Sequence, residues 1–361
     1  MNGVAAIAAR PGAPFELREY PIPEVGPDDL LVKVRMATIC GSDLHGWDGS
    51  APAVAPAGSI PGHEMFGEVY ELGRNVRADS QGHPLKAGDR VAYSYFRPCN
   101  TCVACLHSDA ACPYRYRDKQ HSPDEHPHFN GAFAEYYYIR PGYWVFRVPD
   151  ELPDELVSPV NCALSEVLYG LHRVGVTLGD TVVIQGVGGL GLYATAVAKE
   201  MGAGQVIVLD RMKSRLQLAE EFGADKALNV DESSSKERVA RVREWTAKHG
   251  ADVVAELSGS PTVIQEGLDM LRPGGRYLWV GNITPAPAEI IPPTVVRSSR
   301  TIVGVVVYEK WVIPRALQFL ARTQHRTPYH KIVSHKFPLA EINDAFPVAA
   351  KRECIRVALT M

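Results

Sequence analysis

The stretch DTVVIQGVGGLGLYATAVAKEMGA, residues 180–203, limits what this chain can fold into more than any other. An apolar run, TVVIQ, ends at a glycine turn, and the turn opens a helical pattern that closes on Gly202. The alternation then recurs through QVIVLD, SRLQLAEEFGA, KALNV, SKERVARVREWTAKHG, DVVAELSG, PTVIQEGLDMLRPGG and RYLWVGN. Apolar strands separated by amphipathic helices predict a parallel sheet covered on both faces, an α/β doubly wound domain over about residues 164–307.

Within the turn, Gly186, Gly188 and Gly191 fall in G-x-G-x-x-G spacing around Gly189, and Asp210 closes the next strand nineteen residues after Gly191. The first glycine turns the chain tightly, the second lets backbone approach a pyrophosphate, and the third packs helix against strand. The helix N-terminus then presents partial positive charge to the phosphates. Asp210 is placed to accept the ribose hydroxyls and to repel a 2′-phosphate, which favours NAD over NADP, although Arg211 beside it works against that choice. Arg215, in the helix that follows, joins the expected cofactor contacts. A glycine turn without a ligand is the rival reading.

A chain of 361 residues is too long for one compact core and suits two domains with a cleft between them. The first 150 or so residues read as short β segments between turns: DDLLVKVRMATIC, GEVYELG, DRVAYSYF and FAEYYYI. Beyond Tyr308, a helix over 311–322, a strand at HKFPL, a helix at AEINDAFPVAAK and a final strand IRVALT are expected to return to that first lobe. The second domain is therefore expected from residues 1–163 and 308–361. Residues 114–130, YRYRDKQHSPDEHPHFN, read as a solvated loop despite His121, His126 and His128, because no spacing fixes the three rings on one face.

A net charge of −3 gives no support to nucleic-acid binding, and no segment approaches the eighteen apolar residues that a membrane span needs. The opening MNGVAAIAARPGAPF lacks the basic flank and extended apolar core of a secretory signal, so a cytoplasmic, thiol-reducing setting is expected. Clustered cysteines in that setting are metal ligands more often than disulfides. Four of the seven cysteines, Cys99, Cys102, Cys105 and Cys112, run C-x2-C-x2-C-x6-C and are able to wrap one Zn2+ tetrahedrally. A closed shell of thiolates leaves no position for substrate, so its expected task is to pin a lobe, about residues 97–115, that has little hydrophobic core. A redox C-x2-C pair is the rival, but SYFRPCNTC offers no thioredoxin-like context.

Elsewhere stand Cys40 in ATICGSDLHGWDG, His63 in PGHEMFGEVYELG and Cys162 in PVNCALSEVLYG. Two thiolates and one imidazole around zinc leave a fourth position open, as in catalytic sites. Taken singly, each is equally well a buried small side chain or a satisfied core histidine. The whole order of Cys40-Gly41-Ser42-Asp43-x-His45, Gly62-His63-Glu64, the four-cysteine lobe, Cys162, the glycine loop and Arg356 in IRVALT resembles the zinc-containing medium-chain alcohol dehydrogenase family across essentially the full chain.

That resemblance implies a GroES-like, mainly β catalytic domain beside a Rossmann domain, with two zinc ions per chain. It matches Cys40, His63 and Cys162 to the catalytic zinc ligands and Glu64 to a carboxylate beside the metal. Asp43 matches the partner of the ligand histidine, Ser42 and His45 the proton relay, and Arg356 a basic residue near the cofactor phosphates. The four-cysteine lobe matches the structural zinc site, with one departure: its last gap is x6 where the family commonly has x7. The implied reaction is hydride transfer between a secondary alcohol, cyclic alcohols and polyols included, and NAD, giving the ketone or aldehyde. A homodimer or homotetramer acting on a small alcohol or carbonyl substrate is also implied. The alternatives are a zinc-free NADPH-dependent reductase of the same superfamily acting on activated double bonds, and a non-catalytic zinc-bearing interaction module.

Overall fold

A computed structural model describes residues 1–50, 56–281 and 283–361. The chain divides into two units, one of Met1–Ser165, Glu309–His325 and Tyr329–Met361, the other of Glu166–Tyr308 and Arg326–Pro328. In the second unit, among the described residues, six strands form a wholly parallel sheet. Their order is Lys226–Asn229, Gln205–Asp210, Thr181–Gln185, Ala251–Glu256, Leu271–Trp279, Thr301–Gly304. The strand that comes first in sequence is therefore third in space, and the winding reverses between Thr181–Gln185 and Ala251–Glu256. Such a reversal opens a crevice at the carboxyl ends of the strands, and the glycine turn leaves the sheet at that point. Val182, Val183 and Ile184 are fully buried, as the central position of a sheet covered on both faces requires. One core layer packs Val183, Ile207, Leu209 and Val254 against Ile264, Leu268 and Tyr277.

The first unit is built on a mostly antiparallel sheet in the order Val333–Pro338, Arg356–Thr360, Leu30–Thr38, Glu64–Leu72, Arg90–Tyr93, Val145–Arg147, with Tyr136–Ile139 also paired to Leu30–Thr38. The final strand of the chain thus lies beside one of the first. Leu31, Val32 and Val34 are buried along Leu30–Thr38, and each buried aliphatic side chain contributes about 1.5–3 kcal/mol. Register decides what meets at the strand ends. Thr38 pairs with Glu64 and with Ala358, so the residues just after Thr38, just before Glu64 and at the start of Arg356–Thr360 come together.

Residues 114–130 depart from the expected solvated loop. Arg117–Gln120 forms a 3-10 turn in which Asp118 and Lys119 are buried, and Phe129 lies in the core. The reason is a set of partners remote in sequence: Arg97 grips Asp118 with two bonds of 2.7 Å, the Tyr20 ring stacks on His128, and the Tyr20 hydroxyl donates to Asp124 at 3.0 Å. Asn2–Ile7 and Glu16–Pro21 pair as a two-stranded antiparallel sheet that the sequence pattern does not announce. Among the described residues no helix is long and apolar enough to cross a membrane.

Candidate active site

Cys40 follows the strand Leu30–Thr38 and caps the helix Gly41–Asp48, while His63 precedes the antiparallel strand Glu64–Leu72. Asp43 ties the two. Its Oδ2 accepts the Cys40 backbone N–H at 2.9 Å, and its Oδ1 lies 3.2 Å from His63 Nδ1. A carboxylate at Nδ1 places the proton there and leaves Nε2 free for a metal. Cys162 arrives from the other side in a π-helical turn, Val160–Leu164, a widened geometry that recurs at functional sites. Asn161 stitches that turn in place: its amide donates to the carbonyls of His63 at 3.1 Å and Tyr93 at 3.0 Å, and its oxygen accepts from Met65 N at 3.2 Å.

Cys40, His63, Glu64 and Cys162 are all buried, and each offers a donor atom within 4.8 Å of the others. Glu64 is 0% exposed; its Oε2 takes the Thr38 hydroxyl at 2.6 Å and an ion pair from Arg356, while its Oε1 is buried without a hydrogen-bond partner. A buried thiol pair, an imidazole and an orphaned carboxylate oxygen form a donor set that suits zinc. Arg356, expected near cofactor phosphates, has its guanidinium on Glu64 and is itself 5% exposed.

The charges reflect this crowding. A hydrogen bond from Cys162, followed by His63, outweighs burial and holds the Cys40 thiol well below its usual range. Burial works against a charged His63, yet Asp43 and then Cys40 carry its pKa well above the ordinary value. Burial and the Cys40 charge push the Glu64 carboxyl up to about 7 against the pull of Arg356, His63 and Thr38. His45, one turn beyond Ser42, has Nδ1 at 2.7 Å from Ser50 Oγ, and burial together with Arg352 lowers its pKa. Around this cluster the Tyr95 ring sits 4.8 Å from His63, and Trp47 stands 5.7 Å from Phe346, whereas Phe96 packs inward on Trp144.

Cys99, Cys102, Cys105 and Cys112 also bring their sulfurs within 4.8 Å of one another. Cys105 Sγ lies 3.9 Å from Cys99 Sγ and 3.5 Å from Cys102 Sγ. Four thiolates on one zinc stand about 3.8 Å apart, so the lobe fits the ion despite its shorter last gap. Hydrogen bonds from Thr101 draw the Cys99 thiol down to about 5, and burial with Cys102 raises Cys105 to about 12. All seven cysteines are free of disulfides.

In the glycine loop, Gly186 has φ +94°, and a Cβ there would meet Ser258 at 2.8 Å. A Cβ on Gly191 would meet the Gly186 carbonyl oxygen at 2.0 Å, so helix and strand close on each other only through glycine. At Gly188 the nearest atom to such a Cβ is Arg215 Nη1 at 3.7 Å, which leaves an open backbone beside a guanidinium at the N-terminus of the helix Gly189–Glu200. That cradle suits a pyrophosphate. Asp210 does more than the sequence implied: its Oδ2 accepts Val187 N at 2.8 Å and its Oδ1 accepts Met212 N at 2.9 Å, so it also holds the loop and the next turn.

Three residues at or beside this site, among them Lys119, whose Nζ donates to the carbonyl of Gly62 just before His63, are not singled out by the sequence. Asn161 stands out only as a polar residue beside Cys162, Thr38 as an ordinary strand threonine, and Lys119 as one charge among many in a polar stretch.

A parallel nucleotide sheet joined to a mainly antiparallel lobe with two thiolate-rich clusters defines a zinc-type dehydrogenase. Residues 26–150 match the alcohol dehydrogenase GroES-like domain and residues 189–322 the zinc-binding dehydrogenase domain. The chain is 33% identical over 335 residues to 5-exo-hydroxycamphor dehydrogenase of Pseudomonas putida, covering 91% of each. It is 32% identical over 372 residues to L-threonine 3-dehydrogenase of Bacillus licheniformis, covering 99% of this chain and 98% of that one. An alcohol dehydrogenase structure from Thermotoga maritima superposes with a TM-score of 0.93 at 29% identity, covering 100% of this chain and 99% of that one. This chain belongs to the zinc-type medium-chain alcohol dehydrogenase family.

Proposed function

We propose that the chain is a zinc- and NAD-dependent dehydrogenase of secondary alcohols. The observation that carries this is the buried convergence of Cys40, His63 and Cys162 donor atoms, with Asp43 on the far nitrogen of the imidazole. These three residues would hold a catalytic zinc and the four lobe cysteines a structural one, two per chain. Zinc in the first position supplies Lewis acidity, bringing the ionisation of an alcohol hydroxyl towards neutral pH.

The chain's own residues do the rest. Asp43 fixes the His63 tautomer and ring plane. Ser42 and His45, three residues apart, share a face of the helix Gly41–Asp48, so the Ser42 hydroxyl passes the alcohol proton to His45. A lowered pKa keeps His45 neutral at pH 7 and able to accept it, and the Ser50 hydroxyl holds the ring by its Nδ1. Arg356 balances the charge of Glu64 beside the metal. Gly186, Gly188, Gly189, Gly191 and Arg215 cradle the dinucleotide phosphates. The remaining acceptor capacity of Asp210 takes the ribose hydroxyls, which favours NAD.

The substrate class is supported by two points. Ser42 is small, leaving room at the carbon that loses hydride, and hydroxycamphor and threonine, named for the two relatives, are both secondary alcohols. A homodimer or homotetramer is proposed on the edge strand Thr301–Gly304, where Ile302 and nearby Val306 are exposed. The setting is proposed to be cytoplasmic. A panel of cyclic, polyol and amino-acid secondary alcohols offered with NAD and with NADP tests the reading by absorbance of the reduced cofactor. Turnover of at least one alcohol with NAD, lost on chelation, is expected. Reduction of activated double bonds by a metal-free, NADPH-using protein would overturn it, as would the absence of any cofactor binding.

A further inference from the structure

Lys119 is 4% exposed, which is rare for an ammonium group unless it is held by specific partners. Its Nζ donates to the Gly62 carbonyl at 3.1 Å in a buried hydrogen bond, and the carboxylates whose charge reaches it are Asp43 and Asp118. Gly62 is the residue immediately before His63. It has φ +87°, and a Cβ there would meet Phe133 at 2.8 Å, so only glycine, the residue with the freest backbone, fits at this position. Asp118 is gripped by Arg97 through two bonds of 2.7 Å, which pins the 3-10 turn carrying Lys119. Asp43, the other carboxylate, is the one at His63 Nδ1.

We infer that Lys119 is a positioning residue for His63, fixing the Gly62 peptide from one side and balancing the Asp43 carboxylate on the other. A methionine would fill the same space with no charge to bury, so packing does not account for a lysine. The backbone before His63 and the carboxylate at its Nδ1 are two of the constraints on the ring, beside Asn161 on the His63 carbonyl, and one ammonium acts on both. This rests on the reading of Cys40, His63 and Cys162 as a metal site.

The test uses Co2+ in place of zinc. Subtracting the spectrum of Cys40→Ser from that of the unaltered protein isolates cobalt at this site from cobalt in the four-cysteine lobe. In Lys119→Met the ligand-field bands of the difference spectrum are expected to shift and Co2+ affinity at the site to fall about 10- to 100-fold, as on loss of an outer-shell partner, with the lobe spectrum unchanged. Lys119→Arg, which keeps the charge and a donor, is expected to restore affinity to within a few-fold. Unaltered bands and affinity in Lys119→Met would overturn the inference. So would a Lys119→Arg variant that loses as much as the methionine variant while its lobe spectrum stays intact. A blank difference spectrum in the unaltered protein is a separate failure, that of the metal site itself.

Discussion

Replacing Lys119 by methionine in a Cys40→Ser background isolates the free energy of one buried charge, because any contribution from the metal proposed for that site is removed from both members of the pair. Burial lowers the Lys119 pKa from 10.5 to about 8, against the opposing pull of Asp43 and Asp118. Each unit is worth about 1.4 kcal/mol, so at pH 7, where the lysine is protonated in both states, carrying that charge costs the folded chain about 3 kcal/mol relative to the unfolded one. Methionine removes that cost and forfeits one amine-to-carbonyl hydrogen bond, about 1 kcal/mol, for a net gain of about 2 kcal/mol. For a unit of about 200 residues, 1 kcal/mol moves Tm by about 2–4 °C, so the variant melts about 4–8 °C higher at pH 7.

The pH dependence carries the sign. Between pH 8 and 10.5 the unfolded chain still holds a proton that the folded chain has released, so stability of the lysine form rises with pH. The advantage of methionine therefore shrinks through this window and is near zero by pH 10. Differential scanning calorimetry of the pair from pH 7 to 10 reads it directly. A constant difference in Tm across that range would refute the claim that burial strains this ammonium.

Arg356→Ala leaves Glu64 buried without its cation, and about 3–5 kcal/mol of stability should be lost in thermal melts, whereas Glu64→Gln with Arg356→Met should regain most of it. Equal losses in both would show that the pair is not what the strands depend on. Arg352→Gln removes a positive charge that lowers the His45 pKa, so the rising limb of the oxidation rate should move to higher pH; an unmoved limb would take His45 out of the relay. Asp210→Ala removes charged-acceptor hydrogen bonds worth about 1.5–3 kcal/mol and should raise the KM for NAD about 10- to 100-fold. It also frees the Val187 and Met212 amides, so NADP should gain less than NAD loses; an unchanged preference would mean that another residue reads the ribose.

The alternating pattern after residue 164 was legible because strand and helix periods are local, and the sheet order follows from the winding of such units. The convergence of the four lobe cysteines was legible for the same reason, with all four inside one short stretch. Cys40, His63 and Cys162 were legible only as chemistry. What gathers them is the register of Thr38 against Glu64 and the Asn161 hydrogen bonds, and neither leaves a local signal. Lys119 was hidden for a further reason: a polar stretch reads as solvated unless its partners are known, and those partners, Arg97, Gly62 and Tyr20, lie in other segments. Arg356 was placed by resemblance at the cofactor, while the pairing of Ala358 with Thr38 sets it against Glu64.

The central claim is that Cys40, His63 and Cys162 hold the zinc on which turnover depends. Metal content by atomic emission, measured beside activity in the unaltered protein and in Cys40→Ser, tests it most directly. The prediction is two zinc ions per chain falling to one, with alcohol oxidation abolished and the four-cysteine lobe still loaded. Two ions retained in the variant, or turnover that survives the loss of one, would contradict it.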